Sequence, residues 1–195
     1  MTHPASRTPG VDEAWIGLGA NLGDREEALR RALEAFPEVE VVGPVVETEP
    51  WGIRDQPWFL NTVARLRWSA GARALLVRCL RVEESLGRVR AERNGPRTLD
   101  LDVLVCGPGR LDEPGLTVPH RGIATRRSVL EPWAPVAEGL LVPGLDETIE
   151  ALRERMAGDA SQGVRPWSAR DPAEAGPPVQ SHDADRWRKR WPASR

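Results

Sequence analysis

The stretch Arg93-Asn94-Gly95-Pro96-Arg97-Thr98-Leu99-Asp100-Leu101-Asp102-Val103-Leu104 constrains this chain more than any other. Gly95-Pro96 is turn chemistry. The residues after it alternate apolar with acidic, as a strand requires when successive side chains point to opposite faces. Leu99, Leu101 and Val103 are then predicted to face a packed layer, and Asp100 and Asp102 the opposite side of a central strand, Leu99–Val105. Residues two apart on a strand lie about 6.5–7 Å apart. That spacing lets two carboxylates share one hard cation, or bracket a pair of metals about 3.5–4 Å apart. Without a cation they repel each other and are costly to bury.

Arginine is this chain's default cation, since Lys189 is the one lysine among 27 basic residues. Even so, residues 88–97 concentrate four of them: Arg88, Arg90, Arg93 and Arg97. Carboxylates beside a cluster of guanidinium forks are what a magnesium–polyphosphate substrate needs. The same residues also suit a solvated turn followed by a half-exposed strand, and residue chemistry alone leaves both readings open.

A chain of 195 residues has room for one domain with a substantial core. A net charge of −2 provides no global field for nucleic acid or an anionic membrane. No apolar run approaches 18 residues, so no membrane-spanning helix is expected. Residues 1–12 are polar, contain Pro4 and Pro9, and lack the apolar core of a secretory signal. Cys79 and Cys106 read as two reduced thiols. Together these features place the protein in the cytoplasm.

Strands are predicted at Ala14–Gly19, Val39–Thr48, Phe59–Trp68 and Leu99–Val105. A first helix follows Asp24, which with Glu27 forms a capping box, and carries the stripe Leu29, Ala32, Leu33, Phe36. A second carries Leu75, Leu76, Cys79, Leu80, Val82 and Leu86 and ends at Gly87. A helix interrupted by Pro132 is expected over Thr125–Ala137, and a last one over Asp146–Met156 with Asp146 as its cap. The order β-α-β-β-α-β predicts an α+β, ferredoxin-like antiparallel sheet with helices on one face. The domain is expected to span 13–157, between a disordered N-terminal tail (1–12) and a disordered tail at 158–195. The latter holds five prolines, many charges and Trp167, Trp187 and Trp191 without apolar periodicity.

The twelve-residue string resembles the signature of 6-hydroxymethyl-7,8-dihydropterin pyrophosphokinases, enzymes of folate biosynthesis. Other segments are similar to that family's motifs in the family's order: Gly17-Leu18-Gly19-Ala20-Asn21-Leu22-Gly23, Thr48-Glu49-Pro50-Trp51-Gly52, Gln56-Pro57-Trp58-Phe59-Leu60-Asn61, Glu83 with Gly87-Arg88-Val89-Arg90, and Leu116-Thr117-Val118-Pro119-His120. The resemblance implies transfer of pyrophosphate from ATP to the pterin hydroxymethyl oxygen, with release of AMP. It implies two Mg2+ ions held by Asp100 and Asp102, and catalysis by Arg88, Arg97, Asp100 and Asp102. ATP would be bound by Glu83, Arg88, Arg90, Arg97, His120 and Arg126, and the pterin by Thr48, Trp51, Phe59 and Asn61. Other folate-pathway enzymes are candidate partners; nucleic acid and membrane are not. One departure falls at Ser128, where the family usually offers a second aromatic to stack on the pterin.

Overall fold

The computed structural model describes residues 6–88 and 95–167. Its centre is a six-stranded sheet in the order β5-β1-β4-β3-β8, with β2 also paired to β4. The strands are β1 (Glu13–Ala20), β2 (Val39–Val42), β3 (Val46–Thr48), β4 (Phe59–Arg67), β5 (Asp100–Cys106) and β8 (Val164–Pro166). Every pairing between them is antiparallel. A separate hairpin is formed by β6 (Leu111–Glu113) and β7 (Leu116–Val118). The expected second strand is two strands, because Gly43-Pro44 interrupts it: proline has no N–H to donate to a ladder. Gly43 also lies so close to the opposite layer that a Cβ there would stand 2.3 Å from the Pro132 carbonyl oxygen.

Alternation along β1 sorts the two faces. Ala14, Ile16, Leu18 and Ala20 pack with Leu60, Ala64, Leu66, Leu101 and Val103 beneath α1 (Arg25–Glu34) and α2 (Ala72–Ser85). Asp24 caps α1 by accepting the Glu27 N–H at 3.0 Å, and Leu29, Ala32 and Leu33 are its buried stripe. The chain leaves α2 through Gly87, whose φ of +79° a side chain would resist.

Helices cover both faces of the sheet, not one as expected. Trp15, Val63, Leu104 and Val105 form a second core with α3 (Arg127–Trp133) and α4 (Ile149–Met156). A bulge makes this possible. Trp15 pairs with Val105 and Ile16 with Val103, so Leu104 is an extra residue and both Leu104 and Val105 reach the second core. The expected strict alternation of β5 holds only through Val103. Pro132 lies inside α3, as foreseen, while α4 is capped by Thr148 accepting the Ala151 N–H, not by Asp146.

Both terminal segments extend the fold beyond 13–157. Arg7 bridges to Leu140 and its guanidinium holds Glu13 at 2.8 Å. At the other end β8 adds a strand beside β3, and Trp167 packs on the first core and donates its Nε1–H to Glu26 at 2.5 Å. Composition after Gly158 hides this because the pairing partner lies more than a hundred residues away. Residues 168–195, with Trp187 and Trp191, lie outside the described residues. Cys79 and Cys106 are both free thiols.

Candidate active site

The second helical layer covers only part of its face of the sheet. Beyond the edge of α3 the face is open, and the residues of that parity are Gly17 and Gly19 on β1, Phe59 and Asn61 on β4, and Asp100 and Asp102 on β5. They line one cleft, together with Thr48, Trp51, Arg97, Arg126, Ser128 and residues 161–164. Gly19 keeps its floor low: a Cβ there would lie 2.8 Å from Asn61 Oδ1. Asn61 is further fixed by donating to Thr48 Oγ1 at 2.8 Å.

Asp100 is held between two guanidiniums, Arg88 at 2.5 Å on one oxygen and Arg97 at 2.6 Å on the other. Arg88 also donates to Glu83, whose carboxylate accepts the Leu101 N–H at 2.7 Å. Glu83 is 2% exposed, so it stands behind Arg88 and anchors it. In the structure the Glu83 carboxylate braces Arg88, which itself binds Asp100 at the cleft. Arg97 lies over the Phe59 ring, its guanidinium carbon 5.8 Å from the centroid. Asp102 has looser partners, Arg126 at 3.6 Å and His120 Nε2 at 3.9 Å. Burial and the adjacent Asp100 push its carboxyl above the ordinary aspartate range, against the pull of His120, Arg126 and Arg97. Burial holds the His120 imidazole below its ordinary range, against the opposing pull of Asp102. Its Nδ1 accepts the Gly122 N–H at 3.0 Å, which leaves Nε2 to face Asp102.

Of the expected residues, Thr48, Trp51, Phe59, Asn61, Arg97, Asp100, Asp102 and Arg126 line this cleft. Arg88 reaches it through Asp100, and His120 lines an adjoining hollow that shares Asp102. Arg90 and Arg93 lie outside the described residues. Ser128 lines the cleft where an aromatic was expected; the rings that border it are Phe59 and Trp51, the latter with Arg126 5.9 Å above its centroid.

Two residues carry more of the geometry than their sequence suggested. Asn21, 2% exposed, donates to Gln56 Oε1 and Pro57 O at 3.0 Å each and accepts the Arg97 N–H at 2.7 Å. It ties the loop before β4 to the turn that presents Arg97. Its motif was legible, but this tie was not. Gln162, in the segment read as tail, had no signal at all.

A divalent cation fits the donor set. Asp100 and Asp102 project from one strand into a cleft, and the charge on Asp102 is disfavoured as it stands. Among the described residues no group of three or more His, Cys, Asp or Glu side chains could enclose a metal. Two carboxylates with the remaining positions left to water and substrate oxygens is how Mg2+ is commonly held.

The model of the 7,8-dihydro-6-hydroxymethylpterin-pyrophosphokinase family matches residues 15–138. A 2-amino-4-hydroxy-6-hydroxymethyldihydropteridine pyrophosphokinase of Methylorubrum extorquens is 39% identical over 159 residues, covering 79% of this chain and 98% of that protein. One from Pseudomonas aeruginosa is 41% identical over 138 residues, covering 68% and 85%. Among solved structures, an HPPK-DHPS crystallised in complex with substrates superposes with a TM-score of 0.60 at 12% identity, over 73% of this chain and 43% of the other. At that identity the likeness speaks for the fold alone, and this chain spans under half of that longer one.

Proposed function

Since the chain belongs to the 7,8-dihydro-6-hydroxymethylpterin-pyrophosphokinase family, we propose that the cleft around Asp100 and Asp102 is where it transfers pyrophosphate from ATP to the hydroxyl of 6-hydroxymethyl-7,8-dihydropterin. The observation that carries this assignment is the meeting of two carboxylates with Arg88, Arg97 and Arg126 beside a polar and aromatic slot. The hydroxyl oxygen attacks the β-phosphorus, the bond from that phosphorus to the α-phosphate oxygen breaks, AMP leaves, and the hydroxyl proton is released.

Asp100 and Asp102 hold Mg2+, two ions per ATP in this reading. The chemistry magnesium supplies when bound is neutralisation of polyphosphate charge and acidification of the attacking hydroxyl. Arg88, Arg97 and Arg126 exchange their carboxylate partners for phosphate oxygens, and guanidinium forks suit that geometry. Glu83 keeps Arg88 oriented during the exchange, and Asn21 keeps Arg97 oriented. Phe59 and Trp51 flank the pterin ring, and Asn61, with one donor-and-acceptor amide, meets its polar edge. Positioning and field, not covalent chemistry, are the protein's share.

The reading carries with it a ferredoxin-like scaffold forming one domain from Arg7 to Trp167. It also implies a cytoplasmic location and working contact with other enzymes of folate synthesis. Among the described residues no helix is long and apolar enough to cross a membrane. The test is AMP release from Mg-ATP with and without 6-hydroxymethyl-7,8-dihydropterin. Release that depends on the pterin is the expected result. Release independent of it, or none, would remove the assignment.

A further inference from the structure

Arg126 has to aim its guanidinium across the cleft at Asp102, yet its own backbone is poorly restrained by sequence. It is the extended residue, φ −115° and ψ 106°, between a short 3-10 turn (Ile123–Thr125) and α3. Its side chain provides no cap to the helix it precedes, so the first N–H groups of α3 need partners from elsewhere. The partner for the first comes from the far end of the chain. Gln162 Oε1 accepts the Arg127 N–H at 3.0 Å, and Gln162 Nε2 donates to the Thr125 carbonyl at 2.9 Å. One side-chain amide thus bonds the peptide groups on both sides of Arg126.

Gln162 is itself locked. Its Nε2 also donates to Asp159 Oδ2 at 2.8 Å, and Asp159 Oδ1 accepts the Ser161 N–H at 2.9 Å. Arg127 returns a bond to the Gln162 carbonyl at 3.1 Å. On the other side Glu49 N–H donates to the Gly163 carbonyl at 2.9 Å, and β8 then pairs with β3. Residues 161–164 therefore span from the start of α3 to the Thr48–Glu49 edge, and they form a wall of the cleft.

We propose that Gln162 is a positioning residue for pyrophosphoryl transfer: by clipping the peptide groups on either side of Arg126, it aims that guanidinium at Asp102 and the polyphosphate. This rests on the assignment of the cleft made above. Gln162 does not touch the reacting atoms; it acts through Arg126.

The experiment is a double-mutant cycle in the full chain, comparing wild type, Gln162→Ala, Arg126→Ala and the double variant by initial rates of AMP release. Gln162→Met, which keeps volume but not the hydrogen bonds, is run in parallel in case the alanine variant folds poorly. The expected result is a loss of about ten- to a hundredfold in kcat/KM for both Gln162 variants, with no further loss when Arg126 is already alanine. Equal losses in both backgrounds would mean that Gln162 only supports the fold, and unchanged kinetics in Gln162→Met would mean that the clip does nothing. Both overturn the proposal. Wild-type protein without pterin-dependent AMP release would instead overturn the assignment of the site. The same cycle read by calorimetric binding of a magnesium–ATP analogue then decides the clip separately: coupling supports it, and additivity overturns it.

Discussion

Asp100 and Asp102 are chemically identical and placed very differently. Asp100 accepts two short guanidinium bonds, whereas Asp102 has, among the described residues, no cation nearer than 3.6 Å and carries a charge that burial and its neighbour disfavour. A residue kept in that condition contributes little to folding. Asp102→Asn is therefore expected to lower turnover by far more than tenfold, that is by more than about 1.4 kcal/mol of barrier, while leaving the melting temperature unchanged or raised. Retention of a tenth of the activity at saturating magnesium would end its assignment as a metal ligand. This pair was legible in sequence because a two-residue period sends Leu99, Leu101 and Val103 one way and the acids the other. Phe59 and Asn61 were legible for the same reason. Asn21 was visible as part of a motif, but nothing local tells that its amide joins two loops. Gln162 was invisible, because its partners at 125 and 127 are neighbours only after folding.

The elements show where local reading stops. Helix α1 was legible from its cap and stripe, and α2 from its stripe and the glycine that ends it. Strand β8 has three residues, one of them proline, and no alternation to read. It is held by what surrounds it: Arg165 reaches Glu47 at 2.8 Å and Trp167 lies under Arg25. Ending the chain at Gly158 removes this strand and a wall of the cleft. The truncated protein should melt several degrees lower and lose most pterin-dependent turnover. A truncated chain with wild-type melting and kinetics would contradict the pairing of β8 with β3. Glu47, 4% exposed, is bound from both sides by Arg25 at 2.7 Å and Arg165. Burial alone would raise its carboxyl, but hydrogen bonds from the two arginines outweigh that and hold it below the ordinary glutamate value of 4.5. A depressed carboxylate stabilises the fold above its unfolded value, and that stability is lost as pH falls through the folded one. Glu47→Gln should thus cost about 1–3 kcal/mol at pH 7. The gap in melting temperature from wild type should close below pH 4.5. A gap that is constant with pH would show that shape, not charge, matters at this position.

At the scale of the whole molecule, three layers leave an opening where the α3–α4 layer stops short of the acids on β5. The second layer was not legible because the β5 bulge that recruits it breaks the alternation that made the strand recognisable. At the opening, among the described residues, Asp100 and Asp102 face Arg88, Arg97 and Arg126, with Glu83 buried behind Arg88. Magnesium chloride alone should therefore raise the melting temperature little. Magnesium with a non-hydrolysable ATP analogue at a hundred times its dissociation constant should raise it by about 5–10 °C, the equivalent of about 2.7 kcal/mol. An equal rise from the metal alone would refute this. The cleft behaves as an ion exchanger already loaded with its own counter-ions. A bare cation would strand the displaced guanidiniums without anions, and a bare triphosphate would strand the carboxylates. On the proposed assignment, only the salt of the two can swap in without leaving a charge behind, so a preference for magnesium nucleotide over either component would be set by charge balance before any contact with the base is made.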